Sequence, residues 1–498
     1  MAGSDAIVVV GAGIAGLMTA LALKRYPGQV TVVERDPEPA VGVAPQDAFV
    51  KWRRPGVPHF RHSHMLLSRL RTTIRDHHPE LLAELGEVGV HASTLDSMLP
   101  PTHAQNYVPA EGDDDLVHLW GRRATFEAVV RRHLQRYPHI RFLHDTKVRR
   151  VVLRACADAR EVSGVEISGP TGCRTLDARC LVDASGKHGE MLKLLQAQGL
   201  SVREERVPVG FAYFCRHYAL QQPCQAPRRG TGGILDYLWF GTFFAEGNQF
   251  SVAMACPEEE RGLGDFIRRA EGFERVCAEL PALQVWLKSS VPVSPVLGAG
   301  KLTNQWRELS ADGPGTIHGL YAVGDALIQT NPMYGRGCSA AAVQGHLLAD
   351  VLQSELPRAQ RLAEFQMRVR EQLRPYYNLS VTADRMFAAR GRMARGESVP
   401  WADRALSWVH ESIVDPAAMA DLEVGRELVR GMQMREASPL RRQVRVLGRA
   451  LWATAARPFV TPHPQYEMGP ARDLLFARLG IDRPNLQVLQ GDPVKWRR

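Results

Sequence analysis

The pattern of apolar and polar residues predicts a parallel sheet that starts near the beginning of the chain. Residues 6–10 and 30–33 are short runs without charge and rich in Val and Ile, as is typical of strands buried on both faces. A glycine-rich turn and a helix rich in Ala and Leu, residues 17–24, separate them. Further buried strands are expected at residues 180–182 and 319–323. This alternation of strands and helices indicates an α/β fold.

A different pattern, alternating and rich in aromatic residues, covers residues 207–257. Its strands are expected at residues 211–214, 234–244 and 249–255. Such runs are typical of an antiparallel sheet. Because successive side chains of a strand point to opposite faces, we expect Tyr237, Trp239 and Phe243 to share one face.

Together these patterns predict a Rossmann-like nucleotide-binding domain interleaved with a mixed β-sheet domain, followed by a mostly helical C-terminal region. The nucleotide-binding domain is expected to be discontinuous, with residues 1–75, 115–200 and 290–352. The substrate-binding domain is expected to comprise residues 76–114 and 201–289, and the helical region residues 353–498.

Composition narrows the class of protein only slightly. The 498 residues are 45% hydrophobic and 23% charged, as in ordinary globular proteins, and the net charge is +9. We attribute this charge to a generally basic surface, so we expect no nucleic-acid partner. The eight cysteines form no C-x-x-C pair, and residues 1–5 lack a basic signal-peptide start. We therefore expect a cytoplasmic protein without structural zinc or disulfides.

The strongest chemical signal is the G-x-G-x-x-G motif of Gly11, Gly13 and Gly16 between the first strand and helix. Its glycines allow a sharp turn, close approach to a pyrophosphate and tight helix packing. The helix N-terminus attracts phosphate. Glu34 ends the second strand, where it can accept hydrogen bonds from ribose hydroxyls, and Arg35 can reach the adenine or a phosphate.

Residues 51–64 are expected to form a loop that crosses this site. It contains His59, His62 and His64, but no neighbouring acid or cysteine completes a metal site. We therefore expect no metal, and hydrogen bonds from these imidazoles to a cofactor or to the backbone.

Two further motifs follow in order: Asp183-Ala-Ser-Gly186, and Gly324-Asp325 followed by Pro332 and Gly335-x-Gly337. With the first motif, they resemble the flavoprotein monooxygenases of the para-hydroxybenzoate hydroxylase class. Squalene epoxidases and flavin-dependent halogenases share that scaffold. The resemblance covers roughly residues 1–352.

The resemblance implies FAD as the cofactor. On these grounds the expected FAD contacts are Gly11, Gly13, Gly16, Glu34, Arg35, Arg123, Asp325, Pro332, Gly335 and Gly337. Asp325 would bind the ribityl or ribose-phosphate portion of FAD, and the backbone at Gly335 and Gly337 would lie against the isoalloxazine. A helix that begins near Gly337 also favours the negative charge of a reduced flavin.

The sequence departs from the family where many members carry G-A-D-G-x-x-S-x-x-R. The motif's serine corresponds to Gly189 and its arginine to Leu192, which puts direct reduction by NAD(P)H in question. The electron donor is therefore NAD(P)H or a separate flavin reductase. The halogenase signature W-x-W-x-I-P is also absent, so halogenation is a minor alternative.

The function expected from the resemblance is an FAD-dependent monooxygenase that uses O2, through a flavin C4a-hydroperoxide, to hydroxylate or epoxidise an apolar or aromatic small molecule. Such reactions belong to secondary metabolism or catabolism. Candidate substrate-pocket residues are Tyr237, Trp239 and Tyr334. The alternatives are a flavin dehydrogenase or reductase, a halogenase, and a flavoprotein that acts on a carrier- or membrane-tethered substrate.

Residues 438–466 contain no acid, and Arg441, Arg445 and Arg449 recur on one helical face. A neighbouring apolar stripe comprises Val444, Leu447, Leu451 and Trp452. Such a helix can lie on an anionic membrane or dock on an acidic carrier protein. We expect the third possibility, that the stripe packs on the sheet domain and the arginines face solvent.

Overall fold

The computed structural model describes residues 5–40, 42–99, 103–104, 107–156, 159–187, 190–222, 230–311, 315–436, 440–456, 467–481 and 494–495. Over these residues the chain is a mixed α/β protein with several sheets and a helical C-terminal region, which confirms the predicted fold class. The predicted domain boundaries stay a prediction.

A five-stranded parallel sheet carries the predicted nucleotide-binding motifs. Its strands, in spatial order, are Leu320–Ala322, Cys180–Asp183, Ile7–Val10, Val30–Val33 and Ile140–Leu143. Helix Ile14–Ala22 packs against helix Arg336–Gln353, and a Cβ at Gly345 would lie only 3.0 Å from Thr19 Cα. In open parallel sheets ligands bind beyond the carboxyl ends of the strands, which here end in the predicted motifs.

An antiparallel sheet forms the second layer. Its strands are Gly232–Leu235, Leu238–Ala245, Gln249–Pro257 and Phe211–Leu220, with Ser290–Pro292 and Leu297–Ala299 both paired to the last of these. The expected continuous strand over residues 234–244 is broken by a turn at Asp236 and Tyr237. The prediction that Tyr237 shares a face with Trp239 is wrong for this reason. Tyr237 is buried in the core on the opposite side, and its hydroxyl donates to the Pro470 carbonyl.

Smaller sheets complete the strand set of the described residues. They contain Val202–Pro208, Thr303–Leu309 and Ile328–Gln329; Lys147–Cys156, Ala159–Gly169, Gly172–Asp177 and Ile317–His318; Met65–Leu66, His91–Ser93 and His118–Trp120; and Glu467–Gly469 with Val494–Lys495. The other α-helices are Ala48–Lys51, Ser68–His77, Pro79–Glu87, Arg123–Leu134, Glu190–Gln196, Arg261–Ile267, Ala270–Ala278, Gln284–Leu287, Arg358–Ala394, Trp401–Val409, Asp415–Ala420, Leu422–Met432, Leu440–Ala456 and Arg472–Leu479.

The 37-residue helix Arg358–Ala394 joins the two layers. Near its start, Phe365 is buried in the core of the parallel sheet. Near its end, Phe387 stacks on Phe211 of the antiparallel sheet, with ring centroids 4.8 Å apart. At 1.5 Å per residue the helix is about 55 Å long, long enough to bring C-terminal residues to both parts of the molecule.

Helix Leu440–Ala456 is oriented opposite to expectation. Its inner face carries Val446, Ala450 and Ala453 against other C-terminal helices, whereas the stripe of Val444, Leu447, Leu451 and Trp452 is exposed. The expected packing of this stripe is therefore wrong. Small alanines allow a closer fit on the inner face than the larger stripe residues would. Among the described residues, no helix has the length and apolar composition needed to cross a bilayer.

Candidate functional site

A cleft of about 630 Å³ lies at the carboxyl ends of the parallel strands and brings residues of all three motifs together. The predicted residues that line it are Gly11, Gly13, Glu34, Arg35, Arg123, Asp325, Pro332, Gly335 and Gly337. Segments far apart in sequence thus contribute to one surface. The volume falls in the range of about 300–1,000 Å³ that is typical of ligand pockets.

The three glycines of the first motif have different environments. Gly11 has a φ of +104°, and a Cβ there would lie 2.6 Å from the carbonyl oxygen of Ala184. A Cβ at Gly16 would lie 1.8 Å from the Gly11 carbonyl oxygen, so Gly16 serves the packing of helix on strand. At Gly13 the nearest group is Arg123 Nη2 at 3.7 Å, which leaves space over the backbone at the start of helix Ile14–Ala22.

The Glu34 carboxylate is buried and held in place from three directions. Its Oε2 accepts hydrogen bonds from the Ala12 N–H and from Arg54 Nη2, both at 2.8 Å. Its Oε1 accepts from the Asp36 N–H at 2.9 Å. A carboxylate can accept about four hydrogen bonds, so Oε1 retains the capacity to receive a hydroxyl.

Arg54, which sequence reasoning missed, is the centre of this buried charge cluster. Its guanidinium is 1% exposed and pairs with Glu34, with Asp36 at 3.1 Å and with Glu127 at 3.2 Å. It also lies 4.7 Å from the ring centroid of Trp52. Arg54 pairs with all three buried carboxylates, and Glu127 has Arg123 as a second partner at 2.7 Å. These pairs fix the positions of the carboxylates relative to the glycine motif.

Arg123 begins helix Arg123–Leu134 and faces the cleft. Its Nε donates to Glu127 Oε1 at 2.7 Å, while Nη2 lies near Gly13. Burial lowers the pKa of Arg123, but the carboxylates of Glu127 and Asp325 raise it above its ordinary value. Burial raises the pKa of Asp325 above its ordinary value, although the positive charges of Arg123 and Lys187 lower it in part. These opposite charges are suited to the polar parts of a dinucleotide.

The third motif forms the far end of the cleft. Gly335 has a φ of +66° and caps helix Arg336–Gln353, a conformation that L side chains adopt rarely. At Gly337, apart from the backbone of its own helix and its chain neighbours, no atom of the described residues lies within 4 Å of the position a Cβ would take. The loop and the helix N-terminus therefore present open backbone and a partial positive charge to the cleft.

Asp384, on helix Arg358–Ala394, anchors this loop and was also missed. Its Oδ1 accepts from the Tyr334 hydroxyl at 2.8 Å and from Asn331 Nδ2 at 2.6 Å, and its Oδ2 accepts from Asn304 Nδ2 at 2.6 Å. Burial raises the pKa of Asp384 to about 6, although these donors oppose the change. Tyr334 thus holds the loop from behind and does not line the cleft.

A smaller cavity of about 50 Å³ adjoins the cleft, and the two share His59, His64, Pro332 and Gly335. Its apolar wall includes Tyr213, Phe243, Ala299 and Met333. Trp239 lies behind this wall, with its ring centroid 6.3 Å from that of Tyr213 and 6.2 Å from that of Phe243. Of the three predicted pocket residues, Trp239 is the one next to this cavity.

The histidines of the crossing loop are uncharged at neutral pH. Burial lowers the pKa of His59 to about 3 and that of His62 to about 4. His64 Nδ1 is 2.8 Å from the His62 carbonyl oxygen, and His62 Nδ1 is 3.8 Å from Cys215 Sγ. Throughout the described residues, no three His, Cys, Asp or Glu side chains are grouped as a metal site would require.

The cleft fits the FAD that the sequence implies. Backbone is open where the pyrophosphate and the ring system would approach it, at Gly13 and Gly337. The acidic group at one end, Glu34, matches an adenosine ribose, and Arg123 lies beside the glycine turn. Of the expected contacts, Gly16 alone is placed under the cleft and not on its surface. Gly189, the position of the family serine, lies outside the described residues, and Leu192 is buried.

Comparison with known proteins supports this interpretation of the cleft. The family model of FAD dependent oxidoreductases matches residues 6–269. Protein Rv3254 of Mycobacterium tuberculosis is 26% identical over 373 residues, which are 69% of this chain and 72% of that protein.

Solved structures share the fold. The p-nitrophenol 4-monooxygenase PnpA from Pseudomonas putida has a TM-score of 0.56 at 17% identity, covering 88% of this chain and all of PnpA (100%). PqsL of Pseudomonas aeruginosa, described as a probable FAD-dependent monooxygenase, has a TM-score of 0.54 at 17% identity, with 78% and 98% covered. The flavin-dependent brominase Bmp2 has a TM-score of 0.56 at 14% identity, with 92% and 98% covered. At these identities the likeness concerns the fold.

Proposed function

Because the chain belongs to the FAD-dependent oxidoreductase family, we propose that it is a monooxygenase that transfers one atom of O2 to an apolar or aromatic small molecule. The observation that carries the proposal is the apolar cavity that adjoins the third-motif end of the cleft. Structural neighbours named as monooxygenases support it. In this proposal the substrate lies where the cleft meets this cavity, whose volume of about 50 Å³ accommodates only part of the molecule.

The residues of the cleft hold the cofactor and place its reactive end. When bound, FAD supplies electron transfer and the activation of O2. Glu34 accepts from the ribose, Arg123 and the open N–H groups at Gly13 hold the phosphates, and Asp325 accepts hydrogen bonds farther along. The N-terminus of helix Arg336–Gln353 stabilises negative charge beside Gly337.

The second task of the protein is to keep water away from the reacting atoms. Tyr213, Phe243 and Met333 cover the small cavity with apolar surface, which removes a competing reactant. His59 and His64 lie where the two cavities meet. As neutral imidazoles, they offer a donor and an acceptor for a polar group of the substrate without placing a charge in the apolar site.

The test is a single turnover in oxygen-18 gas. The FAD-loaded protein is reduced anaerobically with dithionite, mixed with oxygen-18 gas and a panel of phenols and alkenes, and the products are analysed by mass spectrometry. We expect one oxygen-18 atom in a product. Hydrogen peroxide alone with every compound, or a product reduced or dehydrogenated without added oxygen, would contradict the proposal.

Two further experiments test the halogenase alternative and the identity of the electron donor. Addition of bromide should leave the product unchanged, and a brominated product would indicate a halogenase. Replacing dithionite by NADH, by NADPH or by an added flavin reductase identifies the electron donor. The substituted family motif at Gly189 and Leu192 supports a donor other than direct NAD(P)H.

A further inference from the structure

The outer face of helix Leu440–Ala456 is an apolar surface that no other part of the described chain covers. Its residues are between 53% and 74% exposed. They are Leu440, Val444, Leu447, Leu451 and Trp452. The first four recur at intervals of four, three and four residues, so they form one stripe along the helix; this set with Trp452 is the outer stripe. Singly exposed apolar residues are ordinary, whereas a contiguous stripe marks an interaction site.

The helix is fixed with this stripe outward. Val446, Ala450 and Ala453 pack on Ala417, Ala418 and Val424. Arg442 lies within 4 Å of the Glu423 and Glu427 carboxylates, and Arg449 pairs with Asp421 at 2.6 Å. The inner face thus has both apolar and ionic partners. Rotating the helix to bury the outer stripe would break these contacts, so the exposure is a property of the folded chain.

The charge beside the stripe is positive. Arg441 and Arg445 are exposed next to it, and no carboxylate within the described ranges forms an ion pair with either. Helix Leu440–Ala456 contains no acidic residue. Trp452, an amphipathic side chain suited to the boundary between lipid and water, is 74% exposed at the other end. Leu, Trp and Arg in this arrangement are typical of helices that lie in a membrane interface.

We propose that the outer stripe docks the protein on an anionic membrane surface. The apolar side chains would enter the boundary between headgroups and acyl chains, while Arg441 and Arg445 would contact lipid phosphates. A protein partner would need a complementary groove to receive this convex helix surface. A bilayer needs none, because lipids rearrange around the helix. This inference does not depend on the reaction proposed above.

A second copy of the chain suits the surface less well. In a symmetric dimer the same patch faces itself, so Arg441 and Arg445 would approach their own copies without an acid on the helix to compensate them. An acidic protein would satisfy the charges. The experiment therefore separates lipid, a second copy and an acidic polymer.

The test is co-sedimentation of the FAD-loaded full-length protein with vesicles. Equimolar phosphatidylcholine and phosphatidylglycerol vesicles are compared with pure phosphatidylcholine, each at low and high salt. We expect binding to the anionic vesicles that weakens at high salt, because exposed charges are screened beyond about 8 Å at physiological ionic strength. The Leu447→Ser/Leu451→Ser variant should lose binding. The Arg441→Gln/Arg445→Gln variant should bind about thirtyfold more weakly, at about fivefold per arginine.

A matched control removes two exposed charges elsewhere, as Arg268→Gln/Lys288→Gln, and should bind like the wild type. Because every substituted side chain is exposed, FAD absorbance and circular dichroism should be unchanged. Equal binding of the wild type and the Leu447→Ser/Leu451→Ser variant would overturn the proposal. So would a wild type that binds polyglutamate but not vesicles, or one that forms a dimer which this variant dissociates.

Discussion

The two ends of the cleft are held in place by opposite means. At the end that carries the glycine motif, where we propose that the adenosine lies (the nucleotide end), Arg54 is surrounded by the carboxylates of Glu34, Asp36 and Glu127. At the end that carries the third motif, where we propose that the flavin ring lies (the flavin end), the buried carboxylate of Asp384 accepts hydrogen bonds from neutral side chains, those of Asn304, Asn331 and Tyr334. The first arrangement lies within the first 130 residues, and the second joins the loop to a C-terminal helix.

This difference has consequences for stability. Breaking a buried ion cluster leaves uncompensated charge and is costly. Asp384, by contrast, has a pKa raised by burial to about 6. The contribution of the flavin end to the free energy of unfolding should therefore change between about pH 4 and pH 6, where Asp384 becomes protonated in the folded protein. Asp384 lies on a helix of the C-terminal region, whose sequence matches no motif. Through Asp384, this region holds the loop of the third motif in place.

The largest expected effect is on FAD retention. Gly13→Val would place a side chain where the cleft is open, with only Arg123 nearby, so the protein should fold but lose its bound FAD. Absorbance after gel filtration measures retention, and circular dichroism measures folding. Gly448→Val, where no atom lies within 4 Å of the new Cβ, is the control. A yellow Gly13→Val protein would show that the phosphates bind elsewhere.

Arg54→Met tests the charge cluster itself. The free energy of unfolding should fall by about 3–5 kcal/mol, because Glu34 and Asp36 lose their buried counter-ion while Glu127 keeps only Arg123. Chemical denaturation of the apoprotein measures it. The exposed Arg268, which pairs with Asp265 on the surface, provides Arg268→Met as a control that should be unchanged. If both variants lost a similar small amount of free energy of unfolding, the charge cluster would not be important for the stability of the fold.

Asp384→Asn tests the pH response of the flavin end. Between about pH 4 and pH 6 the folded protein keeps Asp384 protonated while the unfolded chain has ionised it. The folded state then binds more protons, so stability falls as pH rises. The rise in the pKa of Asp384 from 3.8 to about 6 corresponds to about 3 kcal/mol. The free energy of unfolding, measured from pH 4 to pH 7, should decline by this amount more in the wild type than in the variant. Parallel curves would contradict the assignment.

Asp325→Ala should weaken FAD binding by about 1–3 kcal/mol, the range for loss of a charged hydrogen-bond acceptor. Fluorescence titration of the apoprotein with FAD measures the change. Asp350→Ala removes an exposed carboxylate of helix Arg336–Gln353 that does not line the cleft, and this variant should bind FAD like the wild type. Unchanged affinity in Asp325→Ala would show that the third motif does not contact the cofactor.

The smallest effect concerns the substrate. Trp239→Ala should change kcat/KM for different compounds by unequal factors at constant FAD content, because Trp239 supports the wall made by Tyr213 and Phe243. Tyr237→Ala should instead lower stability without altering selectivity, since Tyr237 lies in the opposite core. If the Trp239→Ala variant had the same selectivity as the wild type, the antiparallel sheet would not form part of the substrate site.

The nucleotide end was predictable because its signal is local. Gly11, Gly13, Gly16 and Glu34 follow one another along strand, turn, helix and strand, so spacing alone places them together. Arg54 could not be assigned, since nothing in a loop sequence indicates which arginine of several becomes buried. Asp384 had even less signal, as its partners precede it by 50 to 80 residues.

Similar limits apply to side-chain direction. Alternation placed Trp239 and Phe243 on one face, but it could not foresee the turn at residues 236–237 that redirects Tyr237. The stripe of helix Leu440–Ala456 was visible in the sequence, whereas its orientation depended on the fit of Ala450 against Ala417 and Ala418. Periodicity defines faces, and packing decides which face is covered.

The most direct test of the account is the identity and amount of cofactor released from the purified wild-type protein. After reconstitution with a mixture of FAD, FMN and NAD and removal of free ligand, the protein is denatured and its supernatant analysed by mass spectrometry. The account predicts FAD at about one equivalent per chain, because one cleft joins Glu34, proposed to hold the adenosine ribose, to Gly335 and Gly337, proposed to lie against the flavin ring. Release of FMN or NAD, or of no nucleotide at all, would contradict it.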